Sequence, residues 1–227
     1  MKSKILVAGL IGALSCLSCK KENITSNGVP TVIRGHVEDP IRGINISGYK
    51  IVLIKKVGMD CGGWLCGTVF EKVAEAYTDN NGDYLITFNY KVEPGQDYYL
   101  EEQYYGTPYY HESSSGTGPI IGGATNIINM TAWKPVELKL NVQVSNNINK
   151  DLRLRVEFNG NKTLNATEFI YEQNTTKKFS LRTKPNSGVN IIFWYYTGTI
   201  LHQKTIPFQT TLDEITTLNL TIDCSTF

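Results

Sequence analysis

The chain predicts an all-β protein built as two antiparallel β-sandwich domains. Three observations carry that reading. Apolar residues beyond residue 30 recur with period two, as in Val136, Leu138, Leu140, Val142 and Val144, with Glu137, Lys139, Asn141 and Gln143 between them. Asn- and Gly-rich sequences that tolerate positive φ punctuate these runs. No stretch beyond residue 30 holds apolar residues at helical spacing over three turns. Runs with one apolar and one polar face suit antiparallel sheets that are buried on one side and wet on the other.

The N-terminus has a different character. Lys2 and Lys4 precede an apolar run, Ile5 to Leu14, and then Leu17-Ser18-Cys19-Lys20-Lys21. The run is too short to span a bilayer and reads as an export signal over 1–18. A small residue directly before Cys19 resembles the lipobox of bacterial lipoproteins, in which signal peptidase II cuts before the cysteine and its thiol carries a diacylglycerol. The resemblance implies lipidation at Cys19, with Cys16 as the alternative, and a flexible tether over 19–29. It also implies an oxidising compartment. Lys20 rather than Asp after the cysteine points, by the same resemblance, to the outer membrane of a Gram-negative cell envelope. Each buried acyl CH₂ contributes about 0.8 kcal/mol, so several chains hold a protein of this size on a bilayer. Loss of 1–18 removes Lys2 and Lys4, leaving 20 basic residues of 22 against 21 acidic ones, a net charge of −1. No basic surplus of the kind nucleic-acid binding needs is present.

The strands follow in order. Thr31 to Val37 sets Val32, Ile33 and Val37 beside Arg34 and His36. Tyr49 to Lys55 is the next run. Asp79-Asn80-Asn81-Gly82 turns the chain into Tyr84 to Phe88. Tyr98 and Leu100 point inward and Tyr99 outward. Tyr105 to Ala124, rich in Gly, Ser and Tyr, reads as an irregular loop. Trp133-Lys134-Pro135 divides the chain into domains 30–133 and 134–227. The second half repeats the alternation in Leu152, Leu154, Val156 and Phe158, and again in Leu218, Leu220 and Ile222. Phe193-Trp194-Tyr195-Tyr196 reads as a core strand before the turn Thr197-Gly198.

Residues 32–100 resemble the carboxypeptidase regulatory-like domain, a transthyretin-like sandwich. The matching residues are Gly35-x-Val37-x-Asp39-Pro40-Ile41-x-Gly43, Lys50-Ile51-Val52-Leu53, Thr78-Asp79-Asn80-Asn81-Gly82-Asp83-Tyr84 and Pro94-Gly95-Gln96-Asp97-Tyr98-Tyr99-Leu100. The resemblance implies a non-catalytic accessory module and says little of function. Residues 136–227 read as a second, immunoglobulin-like sandwich from strand count.

Candidate sites are few. Cys61 and Cys66, with four residues between them in an exported chain, suit a local disulfide that pins Trp64 at a loop tip. A zinc site would need a second Cys pair or a His cluster nearby, which the sequence lacks. Cys224 is left as a free thiol. Tyr104, Tyr105, Tyr109 and Tyr110, with Trp64, are the aromatics expected on exposed loops, where they would stack on a glycan or anchor a protein partner. Asp79, Asn81 and Asp83 lack the spacing and closing Glu of a calcium loop, so they read as a turn. His36 reads as a structural histidine. His111-Glu112-Ser113 is the only compact polar trio, and no cofactor or catalytic motif is present. The sequence therefore points to a lipid-anchored, non-catalytic binding or scaffolding module of the cell envelope, with a structural or adhesive subunit of an envelope or fimbria-like assembly as the first alternative and an enzyme with an unrecognised site as the second.

Overall fold

A computed structural model describes residues 28–62, 65–93, 97–101, 107–114, 119–149 and 151–227, with the side chains of 59–62, 65 and 66 excepted. The expected signal peptide, Cys16 and Cys19 lie outside the described residues, as do Trp64, Tyr104 and Tyr105.

Among the described residues sixteen strands make up the fold: β1 (Val29–Asp39), β2 (Ile44–Asn45), β3 (Lys50–Gly62), β4 (Leu65–Tyr77), β5 (Asp83–Tyr90), β6 (Tyr98–Leu100), β7 (Tyr110–Ser114), β8 (Thr125–Ile127), β9 (Met130–Trp133), β10 (Val136–Ser145), β11 (Leu152–Phe158), β12 (Glu168–Ile170), β13 (Thr175–Thr183), β14 (Gly188–Thr197), β15 (Ile200–Gln209) and β16 (Ile215–Asp223). They form the expected all-β sandwiches. In the first, β1 pairs with β5 and β2 antiparallel and with β8 and β9 parallel, and β7 joins β9. The order β4-β3-β6 makes the other layer. In the second, β13-β10-β16 faces β12-β11-β14-β15.

The sheets are not purely antiparallel as expected. Each sandwich places its first strand in the middle of a sheet and brings a last strand back alongside it, running the same way: β8 and β9 beside β1, β16 beside β10. In an immunoglobulin constant domain the first strand is an edge strand. Here the second sandwich follows the plan of the first.

The first core gathers Ile33, Val37, Ile46, Ile51, Leu53, Tyr84, Ile86, Tyr98, Met130 and Ala132. The sequence motifs explain how it closes. Gly35 lies where β1 meets the chain between β8 and β9, and a Cβ there would stand 1.7 Å from the Ile128 carbonyl oxygen. Tyr84, buried beside Gly35, donates its hydroxyl to that same oxygen at 2.7 Å. Thr78 Oγ1 donates to Ile46 O at 2.6 Å and accepts from Tyr49 N at 2.8 Å. Asp79 Oδ1 accepts from the backbone N–H groups of Asn81 and Asp83, and Gly82 takes φ +81°, so this is the expected turn. Asp39 is fully buried and caps its own turn, accepting from Ile41 N, Arg42 N and the Arg42 guanidinium.

The second core is the inward set the alternation predicts: Leu138, Leu140, Val142, Val144, Leu152, Leu154, Val156, Phe158 and Ile222, with Ile170, Leu181, Ile191 and Phe193. Three expectations are corrected. Of Phe193-Trp194-Tyr195-Tyr196 only Phe193 is fully buried, because a strand sends alternate side chains to opposite faces, and Tyr196 is exposed. The segment expected as one loop, Tyr105 to Ala124, contains β7. The loop expected around the Cys61–Cys66 pair is instead the end of a continuous ribbon, since β3 and β4 stay paired up to Gly62 and Leu65.

The joint between the sandwiches is aromatic. Trp133, at the end of β9, is fully buried in the second core. Tyr110 lies on it at 4.6 Å between ring centroids, and Phe158 meets both rings edge-on. Lys184 sits 5.6 Å over the Trp133 ring and pairs with Glu112. Such ring pairs contribute about 0.5–1.5 kcal/mol each beyond their buried area.

Candidate functional site

The expected aromatic site is only partly placed. Tyr109 and Tyr110, expected as exposed loop rings, are half-buried packing residues. Tyr109 lies 6.1 Å from Tyr49 against the first core, and Tyr110 completes the joint at Trp133. The cause is that Tyr110 opens a strand, β7, which pairs Tyr110 with Trp133 and holds the neighbouring backbone down. Tyr99 is exposed and Tyr98 buried, as the alternation predicts. The backbone register sets Cys61 directly opposite Cys66. Cys224 is a buried free thiol, and burial pushes its pKa up to about 11.

The polar trio His111-Glu112-Ser113 does not converge. His111 Nε2 meets Ser114 Oγ at 3.1 Å, Glu112 goes to Lys184, and Ser113 Oγ meets Thr131 Oγ1 at 2.8 Å. A shallow cleft of about 480 Å³ lies beside them, lined by His36, Glu38, Ser113, Ser114, Asn129, Met130 and Thr131. At its wall, His36 Nδ1 is 2.9 Å from Asp83 Oδ1 and Nε2 is 3.1 Å from Asn45 Oδ1. Both ring nitrogens face oxygen acceptors, an arrangement satisfied by the imidazolium, which donates twice. The hydrogen bond to Asp83 accordingly raises the His36 pKa above 6.5 against a smaller lowering from burial. This histidine ties β1 to the ends of β2 and β5, which is the structural role its place in a strand implies.

The most developed surface lies elsewhere, on the outer face of β12-β11-β14-β15. Leu152, Leu154 and Val156 point inward, so Arg153 and Arg155 point out. The register places Arg153 between Phe169 and Trp194. Its guanidinium is held by Asp151 at 2.8 Å and lies 5.5 Å over the Phe169 ring and 5.7 Å from that of Tyr196. Phe169 and Tyr171 are parallel within 8° at 5.9 Å. Arg155 lies 5.0 Å over Trp194 and pairs with Glu157. Phe169, Tyr171 and Tyr196 are 39%, 59% and 43% exposed, so three rings in contact with one guanidinium or with one another face solvent together. Exposed rings grouped in this way are characteristic of interaction surfaces. The available signal was the pair Phe169, in the short strand β12, and Tyr171 just past its end, with Arg153 and Arg155 on the polar side of β11. It becomes a surface only when β12, β11 and β14 are laid side by side.

No family model and no curated protein sequence matches the chain. Among solved structures it is similar to the shaft pilin SpaA from Lactobacillus rhamnosus GG, at 9% identity and a TM-score of 0.32 over 86% of this chain and 96% of that one. The streptococcal ancillary pilin matches at 12% identity and a TM-score of 0.36 over 84% of this chain and 62% of that one. The major pilin from Streptococcus pyogenes matches at 9% identity and a TM-score of 0.28 over 86% of this chain and 99% of that one. At these TM-scores the likeness carries no argument about what this chain does.

Proposed function

We propose that the protein is a non-catalytic adhesive or binding subunit of the cell envelope, tethered through a lipid on Cys19 (or Cys16). The observation that carries the binding role is the exposed ring and guanidinium face of Phe169, Tyr171, Arg153 and Tyr196. Its chemistry suits a glycan chain. A sugar ring has an apolar C–H face that stacks on an aromatic ring, and a polar rim that hydrogen-bonds to guanidinium and carboxylate. In this reading the tether leads into the first sandwich, and the aromatic joint at Trp133 carries the second, with its binding face, beyond it. Cys61 and Cys66, opposite each other near the end of a ribbon, form the disulfide that closes it.

The lipoprotein reading is tested by acyl-probe labelling of cells: Cys19→Ala abolishes the label. Persistence of the label in both Cys19→Ala and Cys16→Ala sinks it. The binding reading is tested on a glycan array with the purified full chain. Phe169→Ala with Tyr171→Ala loses the glycan signal while the melting temperature stays nearly unchanged. Retention of a protein partner but of no glycan by the unaltered chain replaces the ligand class. The disulfide is tested by non-reducing peptide mapping, in which the two cysteines stay joined.

A further inference from the structure

Proteins protect sheet edges with charge, proline, bulges or sheer shortness, because an open edge is a template for another strand. Most edges here obey. β13 carries Lys177, Lys178 and Arg182, β15 carries Lys204 and Pro207, and β4 carries Glu71 and Lys72. β2, β6, β8 and β12 are two or three residues long, and β7 has an irregular register. Among the described edges longer than three residues, two have no charge past a terminal residue, β5 and β16. β16 is nine residues long, pairs on one side with β10, and has no partner on its other side among the described strands.

The central five residues of β16 also read the same in both directions. Its centre is Thr217-Leu218-Asn219-Leu220-Thr221. An antiparallel pair of two such strands, related by a two-fold axis through Asn219, sets Leu218 opposite Leu220, Thr217 opposite Thr221 and Asn219 opposite itself. The faces agree as well. Thr217, Asn219 and Thr221 are exposed on the outer side, while Leu218 and Leu220 point inward and are only half-covered. Across that side of the sandwich Ile206 and Phe208, the inward residues of the edge strand β15, are half-covered too. β5 lacks this symmetry, since about its central Thr87 apolar Leu85 falls opposite Asn89.

We infer that β16 is a self-pairing edge and that two copies of this chain associate through it. The partner is a second copy because a two-fold interface must be complementary to itself, and Thr217–Thr221 at the centre of this strand is. Pairing joins the two three-stranded sheets into one of six strands, β13-β10-β16 followed by β16-β10-β13 of the second copy. It satisfies the open N–H and C=O groups of both edges and brings each Leu218 against a Leu220. The inference does not depend on the adhesive reading, since it uses no residue of the aromatic face.

Register-specific crosslinking tests it, in intact cells and on the purified full chain. Directly opposed residues of an antiparallel pair lie about 4.5–5.5 Å apart at Cα, within disulfide range. Asn219→Cys therefore gives a reducible covalent dimer under mild oxidation that the unaltered chain does not give. Thr217→Cys alone gives none, because its two copies stand four residues out of register, about 14 Å apart. Thr217→Cys combined with Thr221→Cys restores the dimer. Asn219→Lys sets two like charges on the axis, and sedimentation then reports one chain where the unaltered protein reports two, at an unchanged melting temperature. The inference is overturned if Asn219→Cys yields no dimer, if Thr217→Cys crosslinks as well as Asn219→Cys, or if a folded Asn219→Lys chain still sediments as a pair. Should Asn219→Lys fail to fold, the crosslinking register decides alone.

Discussion

The two sandwiches share a plan and differ in how they are locked. Each sets its first strand in mid-sheet, antiparallel to an edge strand and parallel to a last one. The first sandwich fastens this plan with specific polar bonds: Tyr84 and Gly35 converge on one carbonyl oxygen, Thr78 bridges two backbone groups, and Asp39 caps a turn. The second packs mainly aliphatic side chains along β10 and β11 and keeps its polar ties in the loops at its ends, where buried Asn147 donates Nδ2 to Ile170 O and Glu172 O and buried Thr210 Oγ1 accepts from Ser187 N. A sheet closed by polar locks depends on a few residues that cannot be exchanged. A sheet closed by aliphatic contacts spreads its stability over many and tolerates volume-conserving change.

The sharpest way to break this comparison is Gly35→Ala. The added methyl meets a backbone oxygen, which cannot swing aside, so a loss of about 4 kcal/mol or more is expected. Limited proteolysis would show cleavage within 29–133 with the second sandwich spared. An unaltered melting curve would remove Gly35 from the argument. Leu140→Ala, in the fully buried centre of β10, is expected to lower stability by about 3 kcal/mol, read from denaturant unfolding. Leu140→Met should cost about 1 kcal/mol or less, and equal damage from both would contradict the distributed-packing picture. Tyr84→Phe removes one hydroxyl and leaves the buried Ile128 carbonyl without that donor, an expected loss of about 1–2 kcal/mol, smaller than that of Gly35→Ala because nothing collides.

The smallest effect is a pH dependence. Because the folded His36 pKa is raised above 6.5, its contribution is fully present below the unfolded value of 6.5 and is lost as pH rises through the folded value. Melting temperatures of the unaltered chain should therefore fall slightly across that interval relative to His36→Asn, which should be flat there. A rise over the same interval would mean that the imidazolium is not the favoured form between Asp83 and Asn45.

Much of this architecture was legible in residue order. Alternation along Val136–Val144 and Leu152–Phe158 named the inward residues of the second core, because a strand's period of two sorts side chains by face whatever lies beside it. Asp79-Asn80-Asn81-Gly82 named its turn through the φ preferences of Asn and Gly. Tyr109 and Tyr110 show the opposite case: nothing local distinguishes a tyrosine on an open loop from one pressed onto Trp133 by a strand pairing 23 residues along the chain. The ring and guanidinium face of Phe169, Arg153 and Tyr196 likewise draws on three separate strands. Which strand is central, which last strand returns parallel and which edge stays open were also decided only in the tertiary structure. Periodicity says which side of a strand is buried, but the order of strands in a sheet depends on long-range contacts that no local pattern encodes.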